Sequence, residues 1–228
     1  LFYFFMEIMS FSFTDDIPDG LIMRECSNGK LKEKIISIDD FIRSFINSSK
    51  ADLTVNYWIP KNCLKLSCVG DELHVVVTSD VKTSPATFYE RSTREEFGYI
   101  LPYPKLLFYF RYNVRSSLLI QTKVFAIKRD DNSINPDLYV FPYSNVYDGG
   151  SVCFGSNVFE LKNERLDLSV QEAIEMFYAT PYNGDLYSMA ATGFLCKSTK
   201  SLFKKLDGKK VFPEDKLVPL NQQLTDII

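Results

Sequence analysis

Residues 141–157 read Phe-Pro-Tyr-Ser-Asn-Val-Tyr-Asp-Gly-Gly-Ser-Val-Cys-Phe-Gly-Ser-Asn, between a strong strand pattern and a strong helix pattern. Short polar side chains and the adjacent glycines Gly149 and Gly150 predict a turn-rich loop. Loops that are held between rigid elements frequently carry binding and catalytic residues. This loop is therefore the first candidate for a functional site, and Cys153 is its one thiol.

The composition is that of a soluble globular protein, and 228 residues are enough for one large domain or one domain with an appendage. The 19 phenylalanines and 13 tyrosines supply a large core. A net charge of −3 counts against a general nucleic-acid binder, because binding to phosphates requires a basic surface. The five cysteines are odd in number and scattered, which is typical of reduced cytosolic thiols.

The apolar start of the chain is predicted to form a strand over residues 6–13. It lacks a basic first segment and a small-residue cleavage site, and it contains Glu7, so it does not fit a signal peptide. It is too short to cross a bilayer, and no other segment is apolar enough to do so. We therefore expect a cytoplasmic protein that does not bind membranes.

Turn signals and alternating patterns predict a succession of strands. Hairpins are expected at 21–36, around Asn28-Gly29, and at 63–78, around Gly70-Asp71. The other predicted strands are 53–58, 106–110, 117–128 and 138–141, and residues 80–98 are expected to form a loop.

Three helices are predicted, the first two from apolar residues at helical spacing. The first begins at Ser37 and extends to Ile46. The second is expected to be capped by Ser169, with Glu172 completing a capping box. The third is a short lysine-rich helix at 198–206, and the segment 211–228 is expected to be irregular with a weak terminal helix.

This order of elements predicts an α+β fold, because the strands are too close in sequence for parallel crossovers. We divide the chain into an N-terminal extension at 1–60, which holds a hairpin and a helix, a core at 61–206, and a C-terminal tail at 207–228. The candidate loop at 141–157 lies inside the core.

Few other residues suggest chemistry. His74, the only histidine, lies in the middle of a predicted strand, so a hydrogen-bonded sheet histidine is favoured over a catalytic one. Cys63 and Cys68 with His74 could be imagined as a zinc site, but the two cysteines lie five residues apart and face opposite sides of an extended strand. The lysines between Lys197 and Lys210 favour a solvated surface over a docking surface for an acidic partner.

A lone cysteine is more often a small buried apolar residue than a nucleophile, but the surroundings of Cys153 favour chemistry. Asn145 precedes it by eight residues, and a turn between them can bring the carboxamide toward the sulfur. Such an amide can donate to the oxygen that becomes negative when a thiolate attacks a thioester, which is worth about 3 kcal/mol. This reaction needs no histidine, because a thioester is already activated.

The loop resembles the active-site signature of ubiquitin-conjugating enzymes, in which His-Pro-Asn is followed by the cysteine at the same spacing of eight. The proline-rich segment 102–105 is similar to the one that precedes a strand in those enzymes. The likeness is closer to the prokaryotic ubiquitin-conjugating family D, also called PRTRC system protein B. It is carried by Val124–Lys128, Pro142–Val146 and Gly150–Ser156, and it covers about residues 60–180. Tyr143-Ser144 replaces His-Pro.

This resemblance implies a UBC-like antiparallel meander with flanking helices and a strand-rich N-terminal extension. It implies that Cys153 accepts a bacterial ubiquitin-like modifier as a thioester from a ThiF-type activating enzyme and transfers it to an amine. Asn145 would stabilise the oxyanion. Tyr143, Asp148 and Asn157 are candidate accessory residues, and Asp148 or Asn157 would orient the incoming lysine. No metal and no organic cofactor is implied.

Two alternatives stay open. The first is a catalytically inactive adaptor of the same fold, a binding component of a plasmid-associated PRTRC cassette. The second is a plasmid maintenance protein that contacts DNA through residues 197–210, which the acidic pI of about 5.3 disfavours.

Overall fold

The computed structural model describes residues 8–12, 20–27, 30–37, 57–162 and 165–228. These residues form eleven β-strands and two α-helices, α1 (Leu166–Ala179) and α2 (Thr199–Leu206). The strands are β1 (Ile8–Ser12), β2 (Gly20–Ser27), β3 (Lys30–Ser37), β4 (Cys63–Val69), β5 (Glu72–Ser79), β6 (Lys82–Glu90), β7 (Glu95–Tyr103), β8 (Lys105–Asn113), β9 (Leu118–Ile127), β10 (Asp137–Tyr139) and β11 (Pro219–Gln223).

Nine of these strands make one sheet in the order β11-β10-β9-β8-β5-β4-β1-β2-β3, and every pairing in it is antiparallel. The predicted hairpins at 21–36 and 63–78 are confirmed as β2–β3 and β4–β5. The predicted first strand is confirmed as β1, which joins the sheet by pairing Phe11 with Leu66 of β4. The α+β class predicted from the sequence agrees with this mostly antiparallel sheet and its two helices.

The predicted first helix lies outside the described residues except for Ser37, which ends β3 instead of opening a helix. The predicted strand at 53–58 also falls mostly outside them. Its two described residues, Tyr57 and Trp58, carry no strand. Among the described residues, no helix is long and apolar enough to cross a membrane.

The loop predicted at 80–98 is wrong, because this segment forms the separate two-stranded sheet β6–β7. Its charged residues cluster at the exposed tip of the hairpin, around Glu90 and Glu95, and they obscure the strand pattern. Behind the tip, Ala86 and Phe88 are buried and alternate with the half-buried Thr87, which is the period of a strand with one buried face. The charged tip therefore misled the prediction.

The capping box predicted at Ser169 is also wrong, since α1 begins a turn earlier, at Leu166. The Ser169 hydroxyl is buried, accepts a hydrogen bond from the backbone N–H of Lys162 at 2.8 Å and donates to the carbonyl oxygen of Arg165. Glu172 pairs with the Lys162 ammonium instead of capping the helix. Ser169 thus ties the preceding segment to α1.

The lysine-rich helix predicted at 198–206 is confirmed as α2, which starts with a capping box at Ser198. The preceding helix α1 ends at Ala179, two residues before Pro181. The tail was expected to be irregular, and this prediction is wrong over residues 219–223, which form β11 at the edge of the large sheet. This strand is short, polar and mostly exposed, so it lacks the apolar alternation by which strands are recognised.

The core is an aromatic layer between one face of the sheet and the helices. Phe108 of β8 lies edge-to-face against Phe177 of α1, with ring centroids 5.2 Å apart. The neighbouring residues Leu107 and Tyr109 point to the other face, where they pack in a smaller cluster with Phe125. Alternation along β8 thus fills both sides of the sheet.

Candidate functional site

The candidate loop is folded into a small hairpin that brings Asn145 and Cys153 together. The backbone N–H of Cys153 donates to the carbonyl oxygen of Asn145 at 2.9 Å, and Tyr147 N–H donates to the Ser151 carbonyl at 2.8 Å. The turn is closed by a hydrogen bond from Gly150 N–H to the Tyr147 carbonyl at 3.0 Å. The spacing of eight residues between Asn145 and Cys153 is therefore the distance around this hairpin.

One arm of the hairpin, residues 150–152, is hydrogen-bonded to β9. Val124 N–H donates to the carbonyl oxygen of Gly150 at 2.8 Å, and Val152 N–H donates to that of Thr122 at 2.9 Å. Gly150 has a φ of 88° and lies directly on the ring of Phe125. Cys153 thus sits one residue beyond a segment that is bonded to the large sheet.

The other arm of the hairpin begins at Ser144 and Asn145, which are hydrogen-bonded to the segment that follows α1. The fully buried Ser144 hydroxyl donates to the carbonyl oxygen of Asn183 at 2.8 Å. The Asn145 amide donates to the carbonyl oxygen of Pro181 at 2.9 Å, and its backbone has a φ of 69°, which asparagine tolerates better than most residues. In this structure the Asn145 side chain therefore holds the loop in place, and its role as an oxyanion donor stays a prediction.

Tyr143 stands where the resemblance has histidine, and it is an internal support of the loop. Its side chain is buried, and its hydroxyl donates to the carbonyl oxygen of Pro102. Burial raises the pKa of Tyr143 well above its ordinary value, so the hydroxyl stays protonated and remains a donor. Its ring lies edge-to-face against Tyr103, Phe141, Tyr182, Phe203 and Phe212.

Tyr143→Phe is expected to lower the free energy of unfolding by about 1–2 kcal/mol, because the Pro102 carbonyl loses its donor while the ring contacts are kept. Urea unfolding of the two proteins measures this difference. Tyr89→Phe is a matched control, since Tyr89 is half-buried and its hydroxyl makes no hydrogen bond within the described chain. Equal stability of Tyr143→Phe and wild type would contradict the supporting role.

The sulfur of Cys153 is half-buried, and its polar neighbour is Tyr147, whose hydroxyl donates to Sγ at 3.8 Å. Sequence reasoning missed this tyrosine. The signal was present in the spacing: with Val146 paired to Val152, Tyr147 and Cys153 are diagonal neighbours on one face of the hairpin. An aromatic side chain spans such a diagonal.

The two remaining predicted accessory residues lie at the surface. Asp148 is exposed at the tip of the hairpin beside Gly149. Asn157 is exposed and closes its own turn by donating from Nδ2 to the carbonyl oxygen of Phe154 at 3.0 Å. Their role in orienting a lysine stays a prediction.

A cleft of about 370 Å³ opens beside the hairpin tip. Its lining includes the loop from Val146 to Gly150 and residues from the segment 186–191 after α1. Val218 and Leu220 also line it, and the lining is mainly apolar. Tyr147 lines this cleft, and its hydroxyl also contacts the Cys153 sulfur.

The other reactive side chains lie elsewhere. Cys63 is buried, and burial raises its pKa to about 12, whereas Cys68 is exposed at the end of the same strand. Nδ1 of His74 is hydrogen-bonded to the Tyr109 hydroxyl at 2.8 Å, which confirms the predicted sheet histidine. Within the described ranges, no three His, Cys, Asp or Glu side chains are grouped so that they could hold a metal ion.

Comparison with known proteins assigns most of the chain to a protein family. The family model described as prokaryotic E2 family D matches residues 38–220. No curated protein and no solved structure matches the chain. The match starts within the predicted extension and contains the whole Cys153 hairpin, and it confirms the resemblance to this family that the sequence indicated. This chain belongs to prokaryotic E2 family D, a ubiquitin-conjugating-like family.

Proposed function

We propose that this protein accepts a ubiquitin-like modifier as a thioester on Cys153 and transfers it to an amine. The observation that carries the proposal is a half-buried cysteine on a hairpin that is anchored on both sides, within a matching family region. A fixed backbone supports this chemistry, because placing the nucleophile in advance lowers the entropic cost of reaching the transition state. Family membership implies a modifier and an activating enzyme as partners in general terms.

In the first step, the Cys153 sulfur attacks the carbonyl carbon of the modifier's thioester on a ThiF-type enzyme. The new carbon–sulfur bond forms, the bond to the donor sulfur breaks, and the proton of the Cys153 thiol passes to the departing thiolate. In the second step, an amine attacks the same carbon and displaces Cys153, which regains a proton. Neither step needs a metal or an organic cofactor, because the acyl group arrives activated.

The experiment combines the purified protein with the ubiquitin-like protein and the ThiF-type enzyme of its PRTRC cassette, and with ATP. We expect an adduct on a non-reducing gel that dithiothreitol removes. Intact mass must increase by one modifier less one water. Binding of the modifier without any adduct would contradict the proposal and establish the adaptor.

The adaptor is the second candidate, and one observation favours it. The Asn145 amide donates to the Pro181 carbonyl rather than toward the sulfur, so the donor expected from the resemblance is engaged elsewhere. An adaptor would use the same loop and cleft to bind a modifier. It would work equally well after Cys153→Ala, which separates it from an enzyme.

A further inference from the structure

Two hydrogen bonds in the loop indicate which side chain contacts the sulfur of Cys153. The Asn145 amide is directed to Pro181, on the side of the loop that faces the end of α1. The Tyr147 hydroxyl is directed to Cys153 Sγ, at a separation within the range for hydrogen bonds to sulfur. The Asn145 side chain therefore anchors the loop, and the Tyr147 hydroxyl is the donor that contacts the sulfur.

The surroundings of Tyr147 fit a functional contact better than a packing contact. Its side chain remains 50% exposed, so removal of the hydroxyl leaves the core intact. The hydrogen bond to Cys153 raises the pKa of Tyr147, so the hydroxyl stays protonated near neutral pH and can donate. The backbone that positions it is fixed, since Tyr147 N–H and the Tyr147 carbonyl are both bonded within the hairpin.

We propose that Tyr147, and not Asn145, donates the hydrogen bond that stabilises acyl transfer at Cys153. This inference rests on the function proposed above. Before transfer, the Tyr147 hydroxyl donates to Sγ, and the same side chain lines the neighbouring cleft. During transfer, the carbon bonded to Sγ carries the oxyanion, so the negative oxygen lies two bonds from the sulfur. A small rotation of the Tyr147 phenol brings its hydroxyl to this oxygen.

The bond changes leave Tyr147 unaltered. Sγ bonds to the acyl carbon, the donor's carbon–sulfur bond breaks, and the thiol proton leaves with the donor thiol. Tyr147 keeps its own proton and only donates a hydrogen bond. Asn145 is assigned as a positioning residue that acts through the loop, since its side chain bonds to Pro181.

The test uses a short peptide ending in Gly-Gly as its 2-mercaptoethanesulfonate thioester, so no partner protein is required. Transfer of the peptide to Cys153 is followed by intact mass. Tyr147→Phe is expected to slow transfer about tenfold, less than the loss seen for a fully enclosed oxyanion donor. Tyr89→Phe is expected to react at the wild-type rate.

A second measurement does not depend on acyl transfer. Iodoacetamide alkylation at pH 7 is followed by peptide mapping, with the exposed Cys68 as an internal reference in the same molecule. Tyr147→Phe is expected to change the alkylation rate at Cys153 and to leave that at Cys68 unchanged. A purely structural role for Tyr147 would leave both rates unchanged if the fold is intact.

The outcomes separate the inference from the proposed function. If the wild type accepts the peptide and Tyr147→Phe does so equally fast, Tyr147 is not the donor and the proposed function stands. If Asn145→Ala abolishes transfer and Tyr147→Phe reacts at the wild-type rate, both at an unchanged thermal midpoint, Asn145 is the donor and the inference is overturned. If the wild type accepts no peptide, the alkylation rates at Cys153 decide the inference, and the adduct assay with the activating enzyme decides the proposed function.

Discussion

Replacing Cys153 by alanine is expected to abolish adduct formation with the modifier, and replacing it by serine is expected to leave at most an oxyester. The alanine variant has no nucleophile at the hairpin. Serine can form an acyl bond, but an oxyester is not cleaved by dithiothreitol, whereas a thioester is. The measurement is a non-reducing gel run with and without dithiothreitol, followed by intact mass of each variant.

Cys68→Ser is the matched control for these variants. Cys68 is an exposed free thiol of β4, and its Sγ donates to the carbonyl oxygen of Gly70 at 3.7 Å. We expect this variant to form the thiol-sensitive adduct at the wild-type level. An adduct that persists in Cys153→Ala and disappears in Cys68→Ser would place the acceptor on β4 and remove the hairpin from the mechanism.

The sequence predicted the hairpin well because its information is local. Adjacent glycines, short polar side chains and the spacing from Asn145 to Cys153 all lie within 17 residues, counting from 141 to 157. The turn between the two residues is confirmed by the hydrogen bond from Cys153 N–H to the Asn145 carbonyl. Motifs of this kind can be interpreted without knowledge of the rest of the fold.

The direction of the Asn145 side chain could not be predicted, because its acceptor lies 36 residues further along the chain. The same is true of Ser144, whose acceptor at Asn183 is 39 residues away. These contacts depend on where α1 ends relative to the loop, and a local pattern contains no such information. Tyr147 differs, since its contact with Cys153 follows from hairpin register and was recoverable from the sequence.

Tyr143 shows how the loop accommodates a tyrosine where the ubiquitin-conjugating enzymes that it resembles have histidine. A histidine at this position would offer ring nitrogens, whereas tyrosine offers a longer side chain whose hydroxyl reaches the Pro102 carbonyl. The surrounding rings, including Tyr103 and Phe203, form a pocket for an aromatic side chain. The residue thus stabilises the base of the loop through packing.

Gly150→Ala is expected to disrupt the hairpin and to lower the free energy of unfolding by about 3 kcal/mol. A Cβ at this position would lie 2.5 Å from Cζ of Phe125, which is itself buried against the sheet. Its φ of 88° adds strain of about 1–2 kcal/mol for any residue with a Cβ, and the overlap adds about 1–3 kcal/mol. Thermal unfolding should shift down by about 6–12 °C, from about 2–4 °C per kcal/mol at this chain length.

Gly149→Ala distinguishes the backbone strain from the overlap with Phe125. Its φ of 83° is nearly the same, but a Cβ there meets no atom within 4 Å, so only the strain remains and we expect a loss of about 1–2 kcal/mol. The two variants should also differ in acyl transfer to Cys153, because Gly150 accepts from Val124 N–H and fixes the hairpin to β9. If Gly150→Ala and Gly149→Ala have the same free energy of unfolding and the same rate of acyl transfer, the close contact with Phe125 does not determine the position of Cys153.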